Sequence, residues 1–126
     1  VGKPWKGAEQ LRKIMHTQYS NQPNGLCGNE DVGQMSAWYV MSSLGFYQVE
    51  PGSGRYWFGS PHFDKAEITV SDGTFTLVAE NNSAENRYIQ SVLQNGENLS
   101  ISGQTLLYDT LTRKHWALLQ IGLNAP

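Results

Sequence analysis

The sequence predicts a segregated α+β chain, with two helices in residues 1–49 and a mostly antiparallel β-rich region over 50–126. Three observations predict it. Apolar residues recur at helical spacing up to Leu44. Beyond Pro51 they alternate in short runs that suit strands. Pairs such as Asp72-Gly73 and Asn95-Gly96 divide those runs as hairpin turns do.

The first helix is expected over Lys6 to Tyr19, just after Pro4, which suits a helix start. Ala8, Leu11, Met15 and Tyr19 form its apolar stripe, with Ile14 beside them. Glu9, Gln10, Arg12 and Lys13 are assigned to the outer side. Ser20 to Pro23 and Asn24-Gly25 make the following loop. The second helix is expected over Val32 to Leu44, with Gly45 as its stop. Met35, Ala37, Trp38, Val40, Met41 and Leu44 make it apolar on most sides, a pattern of helices buried on several faces. A chain of 126 residues offers little to cover it, which points to a missing remainder or a partner chain. The start Val1-Gly2-Lys3-Pro4-Trp5 likewise reads as the interior of a longer polypeptide.

In the second half, Lys65 to Val70 and Thr74 to Ala79 flank the turn Ser71-Asp72-Gly73. Phe75, Leu77 and Ala79 share one face of the second of these strands. Arg87 to Leu93, Asn98 to Ile101, Thr105 to Tyr108 and Trp116 to Ile121 complete the set. Tyr56-Trp57-Phe58 reads as a strand half in a core, or as a platform for stacking a sugar ring.

Composition narrows the function. A net charge of -2 gives no basic footprint for nucleic acid. No run of about 18 apolar residues is present to span a membrane. The single cysteine, Cys27, excludes an internal disulfide framework. His16, His62, His115 and Cys27 are scattered, without metal-ligand spacing. Asn81-Asn82-Ser83 and Asn98-Leu99-Ser100 match the N-glycosylation acceptor pattern, which matters only in a eukaryotic secretory setting.

The chemistry concentrates in Gly25-Leu26-Cys27-Gly28-Asn29-Glu30-Asp31 and the helix that follows. A glycine-rich loop here carries Asn29, Glu30 and Asp31 to the mouth of an apolar helix. Asp31 with Gln34 three residues on forms a capping-box pattern, so Asp31 reads as an N-cap. It also reads as a general base, because a helix N-terminus favours an ionised carboxylate. Both hold only if one oxygen caps while the other faces a site. Glu30 reads as a solvated loop charge or a supporting group, and Asn29 as turn chemistry or a hydrogen-bonding partner for water or sugar. The loop lacks the D-x-D-x-D-G series of an EF-hand.

The run Gly25 to Asp31, followed by Gly33-Gln34-Met35-Ser36-Ala37-Trp38-Tyr39-Val40, resembles a signature near the end of glycoside hydrolase family 92, the calcium-dependent α-mannosidases. The likeness continues through Leu44-Gly45-Phe46-Tyr47, Pro51-Gly52-Ser53-Gly54, Tyr56, Gly59-Ser60-Pro61 and Phe63-Asp64-Lys65. It extends to Asn81-Asn82-Ser83, Glu85-Asn86 and Tyr88-Ile89-Gln90-Ser91, so it covers nearly the whole chain.

The resemblance implies the C-terminal part of an exo-acting, inverting α-mannosidase, of the α-1,2 type. The family fold pairs a β-sandwich with an (α/α)6 barrel. Residues 1–49 would then be late barrel helices carrying the active-site loop 25–34, and 50–126 the β-rich tail beside the barrel. Asp31 corresponds to the general base. Asn29 takes the place of a second acidic residue found in some members, and Glu30 between them is a supporting position. The family's general acid and main calcium ligands lie upstream of the signature, so no complete metal site is expected within this segment. A chain with the base and without the acid is not expected to hydrolyse mannosides usefully alone. The implied partners are mannose-containing glycans and either the remainder of the barrel or a self-associated copy. The implied setting is secreted or periplasmic. A non-catalytic carbohydrate-binding or interaction module, using the aromatics of the β half, is the alternative.

Overall fold

The computed structural model describes residues 3–71, 73–99, 105–107 and 117–125. The expected strand ends at Ile101, Tyr108 and Trp116 lie outside these residues, as do Asp72, the acceptor Ser100, His115 and the leading Val1-Gly2.

Helix α1 spans Pro4–Gln18, and Pro4 occupies its first turn, where the missing N–H has no helical partner to lose. Ala8 and Met15 are buried along the expected stripe. Arg12, expected on the outer side, is a correction: it is only 7% exposed. Its Nε donates to Ser60 Oγ at 3.0 Å, and its Nη2 donates to Pro61 O and Asn82 Oδ1. Three acceptors beneath the helix draw the guanidinium inward.

Helix α2 spans Gln34–Leu44 and stops at Gly45, whose φ of 92° gives the left-handed conformation that closes a helix. A Cβ there would stand 2.6 Å from Pro61 Cγ, so a glycine is needed for space as well as for φ. Only Ser42 and Ser43 of α2 are fully buried, and Val40 remains 55% exposed. The apolar character of α2 thus exceeds what the described residues cover.

Two sheets follow. The smaller joins β1 (Phe46–Tyr47), β2 (Arg55–Phe58) and β7 (Thr105–Leu107) in the order β1-β2-β7. The larger has the order β3-β4-β8-β5-β6, with β3 at Lys65–Val70, β4 at Gly73–Glu80, β5 at Tyr88–Gln94, β6 at Glu97–Asn98 and β8 at Ala117–Asn124. The β3–β4 hairpin pairs Ile68 with Phe75. The β5–β6 hairpin turns at Asn95 and Gly96, with φ of 51° and 82°, as a two-residue Asn-Gly turn requires. The antiparallel expectation meets one exception: β8 runs parallel to β4 and antiparallel to β5.

Phe75, Leu77 and Ala79 of β4 point into the core with Val92, Leu119, Ile121 and Leu123. Phe46, two residues past the end of α2, meets Phe75 edge-on with ring centroids 6.1 Å apart. It also meets Tyr56 edge-on at 5.7 Å. One aromatic side chain therefore ties the exit of α2 to both sheets.

Candidate active site

The loop between the helices is closed at its base by main-chain bonds. Tyr19 and Leu26 form an isolated bridge, Ser20 N donates to Gly25 O and Gly25 N donates to Gln22 O, both at 2.9 Å. A Cβ on Gly25 would lie 1.9 Å from Ser20 O, so only glycine fits this crossing. The Tyr19 ring stacks on Trp38 at 5.5 Å and meets Tyr39 at 4.9 Å, which anchors the loop base to α2. Burial, and then the charges of Cys27 and Glu30, hold the Tyr19 phenol above its usual range.

At the tip, Asn29 is exposed, Glu30 half-buried and Asp31 exposed. Asp31, Val32 and Gly33 have φ of 53°, 59° and 89°, three consecutive left-handed residues before the helix. For Asp this region is accessible, but for β-branched Val it is an outlier. Such a residue is destabilised by about 1–3 kcal/mol. Val32 is fully exposed, so packing does not impose this shape.

The capping-box expectation is corrected here. The N-cap of α2 is Gly33, and no side chain caps it. Glu30, not Asp31, serves the helix end: Ser36 N donates to its Oε1 at 2.9 Å and Ser36 Oγ donates to its Oε2 at 2.8 Å. Left-handed residues 31–33 swing Asp31 off the helix axis, and the longer Glu30 side chain reaches back in its place. The Asp31 carboxylate makes no hydrogen bond or ion pair among the described residues.

Two clefts flank this region. One, of about 580 Å³, is lined by Met15, His16, Tyr19, Ser36, Tyr39 and His62 among others, while Asp31 lies outside its lining. The fold brings the sequence-distant His16 and His62 together there, with ring centroids 5.4 Å apart. Burial, then His16, then Arg12 lower the His62 pKa. The other cleft, of about 540 Å³, has Trp38, Tyr47, Val49 and Trp57 in its wall. Phe58 is buried in the core, as the core reading of this aromatic run expects, whereas Trp57 is 37% exposed.

Cys27 is free and exposed. Among the described residues no three His, Cys, Asp or Glu side chains come close enough to hold a metal ion. Among the described residues no helix is long and apolar enough to cross a membrane. Sequence reasoning missed two groups. Ser36 gave no signal, since a serine six residues beyond a glutamate has no periodic meaning. Arg12 did give one: it is four residues after Ala8 and three before Met15, hence on their face.

Comparison with known proteins identifies the family. The family model for the glycosyl hydrolase family 92 catalytic domain matches residues 1–114. The solved α-mannosidase BT3965 from Bacteroides thetaiotaomicron, in complex with mannoimidazole, is 34% identical with a TM-score of 0.87, over 98% of this chain and 16% of that one. The inverting mannosidase BT2199 from the same organism is 38% identical with a TM-score of 0.85, over 100% of this chain and 17% of that one. The family 92 glycosyl hydrolase ccman5 is 29% identical with a TM-score of 0.76, over 86% of this chain and 14% of that one. No curated protein matches. The chain thus spans 14–17% of the length of these structures. With two helices followed by sheets that superpose on mannosidases of known structure, the chain belongs to glycosyl hydrolase family 92.

Proposed function

We propose that this chain supplies the base-bearing segment of an exo-acting, inverting α-mannosidase of the α-1,2 type, with Asp31 as the general base. One observation carries the reading: Asp31 is exposed and its carboxylate is unengaged among the described residues, while Glu30 takes the helix-end bonds. A carboxylate committed to a helix end is a poor proton acceptor, whereas a free one can take a proton from water.

In the proposed reaction, water attacks the anomeric carbon from the face opposite the leaving oxygen as Asp31 accepts its proton. An acid supplied outside this chain protonates the leaving oxygen. An inverting pair stands about 6.5–9.5 Å apart to admit that water. Asn29 can hydrogen-bond the water or a sugar hydroxyl, but its amide cannot accept the proton. A calcium ion would take its main ligands from outside this chain, since no three His, Cys, Asp or Glu side chains converge among the described residues. The helices α1 and α2 are read as late barrel helices, and the uncovered apolar surface of α2 supports that reading.

The test is a hybrid in which this chain replaces the matched 17% of BT2199. The hybrid is expected to hydrolyse an aryl α-mannoside, and Asp31→Asn to lower kcat by about 10²–10⁴-fold. Turnover by Asp31→Asn within a few-fold of the parent overturns the assignment. The chain alone, with calcium added, is expected to show no useful turnover.

The exposure of Trp57 beside the second cleft supports a further reading as a carbohydrate-binding module. Calorimetric titration with mannobiose separates the two: binding lost on Trp57→Ala yet kept on Asp31→Ala favours the module.

A further inference from the structure

We infer that Glu30 is a positioning residue that holds Asp31 out of the helix N-cap and in place for reaction. The inference rests on Asp31 being the base.

The geometry gives Glu30 both ends of the strained turn. Its main-chain carbonyl accepts Met35 N at 3.1 Å, and its carboxylate accepts both Ser36 N and Ser36 Oγ. Residues 31–33, all with positive φ, lie between these anchors. Gln34 N donates to Asp31 O at 3.2 Å, which completes a tight reversal. Nothing packs over Val32 to impose its left-handed backbone. The Glu30 bonds are the only side-chain bonds among the described residues that bridge the turn. They are charge-assisted at the carboxylate and sit where the helix dipole favours a negative group.

The local sequence meanwhile favours a competing arrangement. Asp31 and Gln34 satisfy a capping box, the pattern that directs an aspartate onto the first helical N–H groups. That arrangement relaxes the backbone strain, but it spends the Asp31 carboxylate. Glu30 decides between the two by occupying the helix end first. Its substitution therefore releases the turn and lets Asp31 fall back onto α2.

The experiment has two arms. In this chain, the strong intraresidue HN–Hα NOE of positive φ is expected at Asp31 and Val32 in the parent. It is expected to vanish in Glu30→Ala, and to persist in Glu30→Gln, which keeps one acceptor for Ser36 N. Persistence of positive φ in Glu30→Ala overturns the inference. In the BT2199 hybrid, Glu30→Ala is expected to lower kcat by about 10²-fold with KM nearly unchanged. It is expected to add little in an Asp31→Asn background, because both changes remove the same function. An additive loss shows that Glu30 acts apart from Asp31 and also overturns it. Should Asp31→Asn stay active, the base assignment fails, while the NOE arm still reports on the turn.

Discussion

Replacing Arg12 by methionine isolates the tie between α1 and the β half. The substitution keeps most of the buried stem and removes a guanidinium that donates to Ser60 Oγ, Pro61 O and Asn82 Oδ1. Ser60 and Pro61 are among the most fully buried residues, so their acceptors gain no solvent in exchange. Asn82 is half-buried and keeps its own bonds to His62 O and Asp64 Oδ1, so its exposed acceptor can be hydrated. Two buried acceptors left bare cost about 1–3 kcal/mol each. Against this stands relief of a desolvated cation: burial, and then Arg87, lower the Arg12 pKa. The net expectation is a loss of about 2–3 kcal/mol, or roughly 6–15 °C in Tm for a chain of this size. Thermal and urea unfolding by circular dichroism measure it. Arg12→Lys, a single point of charge without the planar fork, should fall between the two. A change below about 0.5 kcal/mol would refute the reasoning, because desolvation would then equal everything the three bonds supply.

Two further outcomes are expected. Gly25→Ala should destabilise the chain and disrupt the loop, since its Cβ falls 1.9 Å from Ser20 O; loss of the Tyr19–Leu26 cross-strand NOEs checks this, and an unchanged loop refutes it. The His62 pKa is lowered from 6.5 in the folded chain, so the folded state binds fewer protons there than the unfolded state. Its contribution to stability is whole above pH 6.5 and is lost as pH falls through the lower folded value. Urea midpoints should drop across that window, less steeply in His62→Gln.

Much of this was legible locally. Pro4, Gly45, Asn95-Gly96 and the alternation in Phe75, Leu77 and Ala79 act through their own backbone or nearest turn, and all appear where they were read. The parallel β4–β8 pairing was not legible, because Phe75 meets Ala117 across a long stretch of chain that no periodicity records. The site shows the same division. The glycines, the acidic tip and the aromatic helix marked the loop as special. Which acid serves the helix depended on three left-handed residues, one of them a valine, which local propensity argues against. Arg12 was misplaced for a related reason: charge type outweighed helical register in the reading, while buried acceptors from distant segments outweighed charge type in the fold.

The placement of β8 sets an order of events. Strands β4 and β5, which flank it, emerge well before it during synthesis and do not pair with each other. Until Leu119, Ile121 and Leu123 arrive, each half presents an open edge and an unfilled apolar face. The nascent chain is therefore most vulnerable to sticking to its neighbours just before its sheet closes. A stop codon near residue 116 should yield two stranded hairpins rather than a shortened domain.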